Sequence, residues 1–207
     1  MAGDSSLIRC FVAIDFPDEV VKEIARVQGV LGRKVFQGKM TEVENLHLTL
    51  KFLGEISEEK VLEVREKLRE IEFKEFNGKL MGAGTFNIRG NPRIAWIKVG
   101  GSGNKGSQSR KLSNGKKVSD EGVFELQKKI DEKLSEIGFK KEERFMSHLT
   151  IARIKYVKDK KGFIEYVKGM GVKEIGFKIN GFKLFKSELK PAGPVYEVIE
   201  RYGKERE

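Results

Sequence analysis

The chain has 207 residues, of which 39% are hydrophobic and 35% are charged, and its formal net charge at pH 7 is +10. It has no apolar run of the roughly 18–20 residues that a membrane helix needs, no secretory leader pattern and only one cysteine, Cys10. We therefore expect a cytoplasmic protein without a membrane span, an internal disulfide or a thiolate metal cage. The basic excess favours a polyanionic partner such as RNA or DNA, although a high charge content is also typical of heat-adapted proteins.

Hydrophobic periodicity predicts short strands and helices that alternate along the chain. In chain order these are a strand at 9–15, a helix at 17–32, a strand at 46–53, a helix at 57–71, strands at 79–88 and 93–99, a helix at 123–137, a strand at 145–154, a helix at 160–168, and strands at 175–179, 182–189 and 195–201. This order, with its hairpin-like strand pairs, favours the α+β class over a doubly wound parallel sheet. Both halves repeat helix, loop and strand, so we expect one bilobal domain over residues 1–207.

Residues 100–119 interrupt this pattern with a loop that is longer than an ordinary connection. The loop has no acidic residue and carries five of the ten net positive charges, on Lys105, Arg110, Lys111, Lys116 and Lys117. Three interpretations remain open: a tether for RNA phosphates, a surface insertion, or an element that binds a partner protein. Phosphate contacts by these five basic residues would weaken steeply with salt.

The chain contains two histidines, and each begins a tetrad of the same type, His47-Leu48-Thr49-Leu50 and His148-Leu149-Thr150-Ile151. Side chains two residues apart in a strand share a face, so each tetrad presents an imidazole and a hydroxyl opposite an apolar pair. A single histidine in a strand is more often structural. The matched contexts at equivalent places in the two halves instead predict one shared site.

Two histidines and two threonines suit displacement at a phosphodiester. Imidazole titrates near pH 6.5, so one neutral and one protonated ring can act as base and acid at neutral pH. Threonine hydroxyls can donate hydrogen bonds to phosphate oxygens. We find no metal-binding spacing and no GxxxxGK[ST] or GxGxxG loop in the right context, so we expect neither a metal nor another cofactor.

At these tetrads the sequence resembles the 2H phosphoesterase superfamily, which is named for paired His-x-Thr-x motifs. Within it, the chain is similar to the archaeal and bacterial RNA 2′,3′-cyclic phosphodiesterases, also called 2′-5′ RNA ligases of the LigT type. The resemblance covers almost the whole chain, in the segments RCFVAID, HLTLKFLG, PRIAWIKV, HLTIARIK and SELKPAGPVYEV. It implies two pseudo-symmetric lobes around a central cleft, each lobe an antiparallel sheet with outer helices. It also implies hydrolysis of RNA 2′,3′-cyclic phosphates to 2′-phosphates.

The resemblance implies a role for each motif residue. His47 would be the proton donor to the leaving 3′ oxygen, and His148 would be the proton acceptor that activates water. Thr49 and Thr150 would hold the phosphate. The similarity of the two tetrads does not by itself say which histidine is the acid.

Four further residues are predicted to bind substrate. The resemblance implies that Phe52 lies against the terminal base and that Arg153 contacts the phosphate or ribose. Both lie five residues after their histidine, an odd offset that places them on the other face of a regular strand, so each prediction requires a bend or bulge. Arg9 and Phe11 share a strand face and could line the cleft.

The expected partner is RNA with 2′,3′-cyclic phosphate ends, tRNA fragments among them, and we expect a monomer that does not bind membranes. RNA end-joining is an alternative, because the reverse reaction with a 5′-hydroxyl would use the same two histidines. A non-catalytic RNA-binding module is a second alternative, which the intact tetrads disfavour, since binding alone needs no acid–base pair. A small cyclic nucleotide is a further candidate substrate.

Overall fold

The computed structural model describes residues 7–32, 35–102, 110–111, 117–118, 121–191 and 193–204. The helices in these ranges are α1 (Asp18–Leu31), α2 (Glu58–Arg69), α3 (Glu121–Ser135) and α4 (Lys160–Lys168). The strands are β1 (Ile8–Ile14), β2 (Gln37–Met40), β3 (Leu48–Ile56), β4 (Phe76–Ile88), β5 (Asn91–Ser102), β6 (Arg110–Lys111), β7 (Lys117–Val118), β8 (His148–Tyr156), β9 (Gly176–Ile179), β10 (Gly181–Lys190) and β11 (Gly193–Gly203). No helix among the described residues is long and apolar enough to cross a membrane.

Nine of the described strands form one antiparallel sheet that divides into two matching halves. The order is β11-β10-β1-β3-β8-β5-β4-β9, and β2 also pairs with β8. β3 and β8 are the two middle strands of this order and pair where Leu48 lies opposite Leu149. Each half of this order therefore contains four strands, with one histidine motif at its inner edge, and β2 is the ninth strand. The predicted α+β class with two antiparallel lobes is confirmed.

The helices bury the apolar stripes that the sequence predicted. On α1 the residues Val20, Ile24, Val27 and Leu31 are at most 1% exposed, and α3 buries an equivalent stripe. Leu48 and Leu149 belong to the same core and are fully buried. The histidine and threonine of each tetrad consequently lie on the opposite face of the sheet, away from the core. Cys10 is a buried core residue, as predicted, and burial raises the pKa of its thiol to about 11.

Strand β2 was not predicted, because the sequence QGKM lacks alternating apolar residues. Its position depends on pairing with β8, and the approach there is close. A Cβ atom on Gly38 would lie 2.2 Å from the backbone oxygen of Arg153, so only glycine fits without a shift of backbone. β2 thereby packs directly against the segment of β8 that carries Arg153.

The predicted basic loop at 100–119 is described only in part. β5 continues to Ser102, and β6 pairs with β7 as a separate two-stranded ladder, so these residues are strands where a loop was predicted. Residues 103–109, 112–116 and 119–120 lie outside the described residues, and with them Lys105 and Lys116. The role of the loop therefore stays a prediction.

Candidate active site

The two histidine motifs lie side by side at the centre of the sheet. Leu48 and Leu149 are opposite each other in the antiparallel pairing of β3 with β8. Continuing this register by one residue in each direction sets His47 beside Thr150 and Thr49 beside His148, on the face opposite the two leucines. The sequence predicted that the histidines share a site, and this register brings both motifs together.

Both imidazoles are held in the same way by the chain that precedes them. His47 Nδ1 lies 2.7 Å from the backbone oxygen of Asn45, and His148 Nδ1 lies 2.7 Å from that of Met146. A carbonyl oxygen only accepts, so Nδ1 is the nitrogen that donates a hydrogen in each ring. In the neutral rings Nε2 is therefore the proton acceptor, and in the charged rings it is the proton donor.

Aromatic rings surround both imidazoles. The centroid of the His47 ring lies 4.8 Å from that of Phe11 and 5.3 Å from that of Tyr196. On the other side of the site, His148 meets the ring of Phe86 edge-on at 4.7 Å. These contacts fix the imidazole planes and exclude water from one side of each ring.

The environment lowers the pKa of both histidines. The pKa of His47 is lowered to about 4, chiefly by burial and in smaller part by the charges of Arg153 and His148, while the hydrogen bond to the Asn45 carbonyl opposes the shift. Burial also lowers the pKa of His148, with the charge of Arg153 acting in the same direction. Arg153 is therefore close enough to influence both rings, and the lowered pKa values favour the neutral form of each ring at pH 7 in the free protein.

A β-bulge in β3 brings Phe52 to the face of the site. Two adjacent residues of β1 lie opposite Thr49 and Lys51, so Leu50 is an extra residue without a partner in that ladder. Leu50 and Lys51 are consecutive and both buried, which marks the change of face. Phe52 then lies on the same face as Thr49, with 66% of its surface exposed. Its ring centroid is 6.2 Å from that of Phe11.

A second bulge, in β8, does the same for Arg153. Two adjacent residues of β5 lie opposite Thr150 and Ala152, so Ile151 has no partner in that ladder. Ile151 and Ala152 are again consecutive buried residues, and Arg153 is exposed on the face of Thr150. The odd offsets of Phe52 and Arg153 from their histidines are thus both resolved by the bulge that the sequence argument required.

The two predicted substrate-binding residues of β1, Phe11 and Arg9, differ in their exposure to solvent. Phe11 is only 3% exposed and stacks on Phe185, 5.1 Å between centroids, so its ring lies beneath His47. The rings of His47, Phe185 and Tyr196 pack against Phe11 and leave little of its surface for substrate, so its part in binding stays a prediction. Arg9 is exposed on β1, and its charge reaches Tyr196.

The sequence comparison decides the family. Residues 14–96 and 117–196 match the family described as LigT like phosphoesterase, and the unmatched stretch between them includes most of the basic loop. The chain belongs to this family. It is 37% identical to an RNA 2′,3′-cyclic phosphodiesterase of Methanocaldococcus jannaschii, over 94% of this chain and 100% of that protein. It is 31% identical to the protein of the same name in Thermotoga maritima, over 93% of both.

The fold comparison agrees with the family. A crystal structure of a Thermus thermophilus protein superposes with a TM-score of 0.73 at 28% identity, covering 94% of this phosphoesterase and 97% of that chain. A crystal structure of Escherichia coli LigT superposes with a TM-score of 0.66 over 96% and 98% of the two chains. At 22% identity, the second comparison supports the fold alone.

Two aromatic residues of this phosphoesterase that touch the histidines were not predicted from the sequence, Phe86 at His148 and Tyr196 at His47. Tyr196 packs edge-on against His47 and against Phe11, with centroids 4.9 Å apart in the second pair. Burial raises the pKa of the Tyr196 hydroxyl, and the charge of Arg153 opposes this. The signal was available, since Tyr196 lies within SELKPAGPVYEV, one of the segments that carried the resemblance.

The described residues of the phosphoesterase contain no group of three or more His, Cys, Asp or Glu side chains that could hold a metal ion. The charged side chain that lowers the pKa of both histidines is instead a cation, Arg153. The donor set at the site is thus two imidazole nitrogens, two hydroxyls and a guanidinium. Such a set can bind a phosphate anion and move protons.

Proposed function

We propose that this protein hydrolyses RNA 2′,3′-cyclic phosphodiester ends to 2′-phosphomonoesters. The observation that carries the proposal is the pairing of the two motifs, which brings His47 and His148 to one face of the sheet, diagonal to each other across the Leu48–Leu149 pair, each with its Nδ1 held by a backbone carbonyl. A binding module would need neither two imidazoles nor a matched orientation of both. The names of the relatives support the same substrate class.

The proposed reaction is an in-line displacement at phosphorus. His148 Nε2 accepts a proton from water as the water oxygen forms a bond to phosphorus. The bond between phosphorus and the 3′ oxygen breaks, and protonated His47 donates its Nε2 proton to that oxygen. The 2′ ester bond is retained, so the product carries a 2′-phosphate and a free 3′-hydroxyl. Each proton transfer contributes about 10²–10⁴-fold to the rate.

The anion of the substrate is held by the remaining polar groups of the site. The hydroxyls of Thr49 and Thr150 donate to the non-bridging phosphate oxygens, which carry the charge of the transition state. The guanidinium of Arg153 binds the same phosphate or the adjacent ribose, a task suited to its planar set of donors.

The acid role of His47 depends on the substrate. With a pKa of about 4 in the free protein, this ring is mostly neutral at pH 7. A bound cyclic phosphate is an anion, and an anion near an imidazole favours its charged form and raises its pKa. The phosphate also offsets the positive charge of Arg153, which lowers the pKa of both rings in the free protein. Substrate binding thereby helps to protonate the acid.

Recognition of RNA is assigned to the surface beside the motifs. Phe52, exposed at the end of the bulge, stacks on the terminal base, and Arg9 contributes positive charge at the edge of the site. A single bilobal domain over 1–207, a monomeric state, a cytoplasmic location and tRNA fragments as substrates belong to the same proposal. So does independence from metals and other cofactors.

The test is to incubate the untagged protein with a short RNA that ends in a 2′,3′-cyclic phosphate, in EDTA, and to identify the phosphate position in the product. We expect a 2′-phosphate from the wild-type protein, and a loss of at least about 10²-fold in His47→Ala and His148→Ala. Turnover only after a metal is added would contradict the mechanism. Formation of a 3′-phosphate would contradict the assignment of the leaving oxygen.

A further inference from the structure

The bulge in β8 is held from the helix side by a buried glutamine. Gln28 of α1 is 8% exposed, and its Nε2 donates to the backbone oxygen of Ile151 at 2.9 Å and to that of Thr41 at 2.8 Å. The Thr41 N–H donates to the same Ile151 oxygen at 3.0 Å. Ile151 is the extra residue of the bulge. Its carbonyl therefore joins the bulge to helix α1 through Gln28 and to the segment before His47 through Thr41.

The bulge in β3 has an equivalent support built from an ion pair. Lys51, the residue after the extra Leu50, forms a buried salt bridge with Asp131 of α3. The other Asp131 oxygen accepts from the Glu142 N–H at 2.7 Å. Thr41 lies six residues before His47, and Glu142 lies six residues before His148. In each lobe, therefore, a helix and the lead-in to one histidine are bonded to the bulge in the strand that carries the other histidine.

The bulge decides where Arg153 points. In a regular strand, Arg153 lies on the face opposite Thr150, since the two are three residues apart. The bulge leaves Ile151 unpaired in the ladder with β5. Its carbonyl points to the other edge of β8, where the Thr41 N–H continues the ladder with β2 and Gln28 Nε2 donates a second hydrogen bond. These two bonds stabilise the conformation of the bulged residue that brings Arg153 to the histidines.

We propose that Gln28 is a positioning residue for Arg153, acting through the Ile151 bulge. The inference deepens the proposed function, because Arg153 is assigned there to the phosphate. The position of Arg153 can be tested without measuring activity, because the charge of Arg153 lowers the pKa of both histidines in the free protein. Four features set the pKa of the His47 ring: its burial, the Asn45 carbonyl, Arg153 and His148. Of these four, Arg153 is the one whose position depends on the bulge at Ile151.

The experiment replaces Gln28 with an apolar residue of similar shape and reads the two histidines by NMR titration in the free protein. In Gln28→Met the Ile151 carbonyl keeps the Thr41 bond, so the fold is retained while the bulge loosens. We expect the pKa of both rings to rise, as in Arg153→Gln, and the double variant to match Arg153→Gln alone. Turnover of cyclic-ended RNA should fall about 10- to 100-fold, the effect of a misplacement of roughly 1 Å.

A matched control is Gln127→Met, which removes a buried glutamine of α3 that donates to Asp131 and not to Ile151. It should leave both histidine pKa values unchanged. If Gln28→Met is unfolded, Gln28→Ala removes the same N–H donors without adding a charge and should give the same rise. A folded Gln28 variant with wild-type histidine pKa values would overturn the proposal, and so would a double variant in which the two effects add. If the wild-type protein fails to hydrolyse the RNA, the proposed function fails, and the titration still decides the role of Gln28.

Discussion

Leu50 of β3 and Ile151 of β8 occupy equivalent bulges, each directly after the threonine of its motif. Each is followed by a second buried residue, and the next side chain returns to the face of the histidines. The two lobes thus use one backbone device to present different groups, an aromatic ring from Phe52 and a guanidinium from Arg153.

Replacing Phe52 should weaken RNA recognition without weakening the fold. Stacking on a base contributes about 1–3 kcal/mol, so kcat/KM for cyclic-ended RNA should fall about 5- to 150-fold in Phe52→Ala. Phe52→Tyr keeps an aromatic face and should retain most of the activity. Because the side chain is 66% exposed, thermal unfolding should change little in either variant. Equal kcat/KM values for the alanine variant and the wild type would remove the stacking role.

The two histidines can be titrated individually by NMR, because the chain has no others. We expect the pKa of His47 at about 4 and that of His148 below 6.5, since burial penalises both charged forms. In Arg153→Gln both values should rise, because a positive neighbour is lost. His148→Ala provides the assignment and should raise the His47 value slightly. A ring that titrates above about pH 7 in the free wild-type protein would contradict this electrostatic account.

The pH dependence of kcat/KM should follow from the pKa values of the two histidines. kcat/KM reports the free protein, in which one ring must be protonated and the other neutral, and this population peaks midway between the two pKa values. Both lie below 6.5, so kcat/KM should peak below pH 6.5 and decline at higher pH. Bound phosphate raises the pKa of the rings, so kcat should peak at a higher pH. A kcat/KM optimum at about pH 7 or above would contradict the signs of the shifts.

Breaking the buried ion pair should destabilise the protein strongly. Lys51 and Asp131 have side chains that are 3% and 7% exposed, so Lys51→Met leaves a buried carboxylate without its cation, held only by the N–H donors of Gln127 and Glu142. The expected cost is about 3–5 kcal/mol in the free energy of unfolding, measured by urea denaturation. The control Lys168→Met breaks an exposed pair with Glu165 and should change stability by less than about 1 kcal/mol. Similar losses in both variants would show that burial of the Lys51 pair is unimportant.

Much of this fold could be predicted from periodicity, and the failures have physical causes. Helix 160–168 and the paired motif strands were predicted because apolar spacing alone defines them. Strand β2 was missed because its formation depends on the partner β8, whose pairing no local pattern in QGKM reveals. The faces of Phe52 and Arg153 could not be derived from alternation, since a bulge changes the parity and leaves no local signature. The resemblance supplied what periodicity could not.

The sequence predicted the histidines of the candidate site more fully than the residues that pack around them. The repeated tetrad identified His47 and His148, because two identical patterns in a chain with two histidines are a strong coincidence. Burial of Phe11 beneath His47 depends on the order of strands in the sheet, which the sequence does not state. Gln28 gave no signal at all, because its role arises from a contact with a residue 123 positions away.

The most direct test of the two roles compares substrates that differ in their need for an acid. A 4-nitrophenyl phosphodiester releases a stable phenolate that needs no proton, whereas the 3′ oxygen of a cyclic phosphate does. His47→Ala should lose about 10²–10⁴-fold on the cyclic-ended RNA and far less on the activated diester, while His148→Ala should lose comparably on both. The reverse pattern, with His148→Ala rescued by the activated substrate, would exchange the acid and base. Equal losses of His47→Ala on both substrates would contradict general acid catalysis by His47.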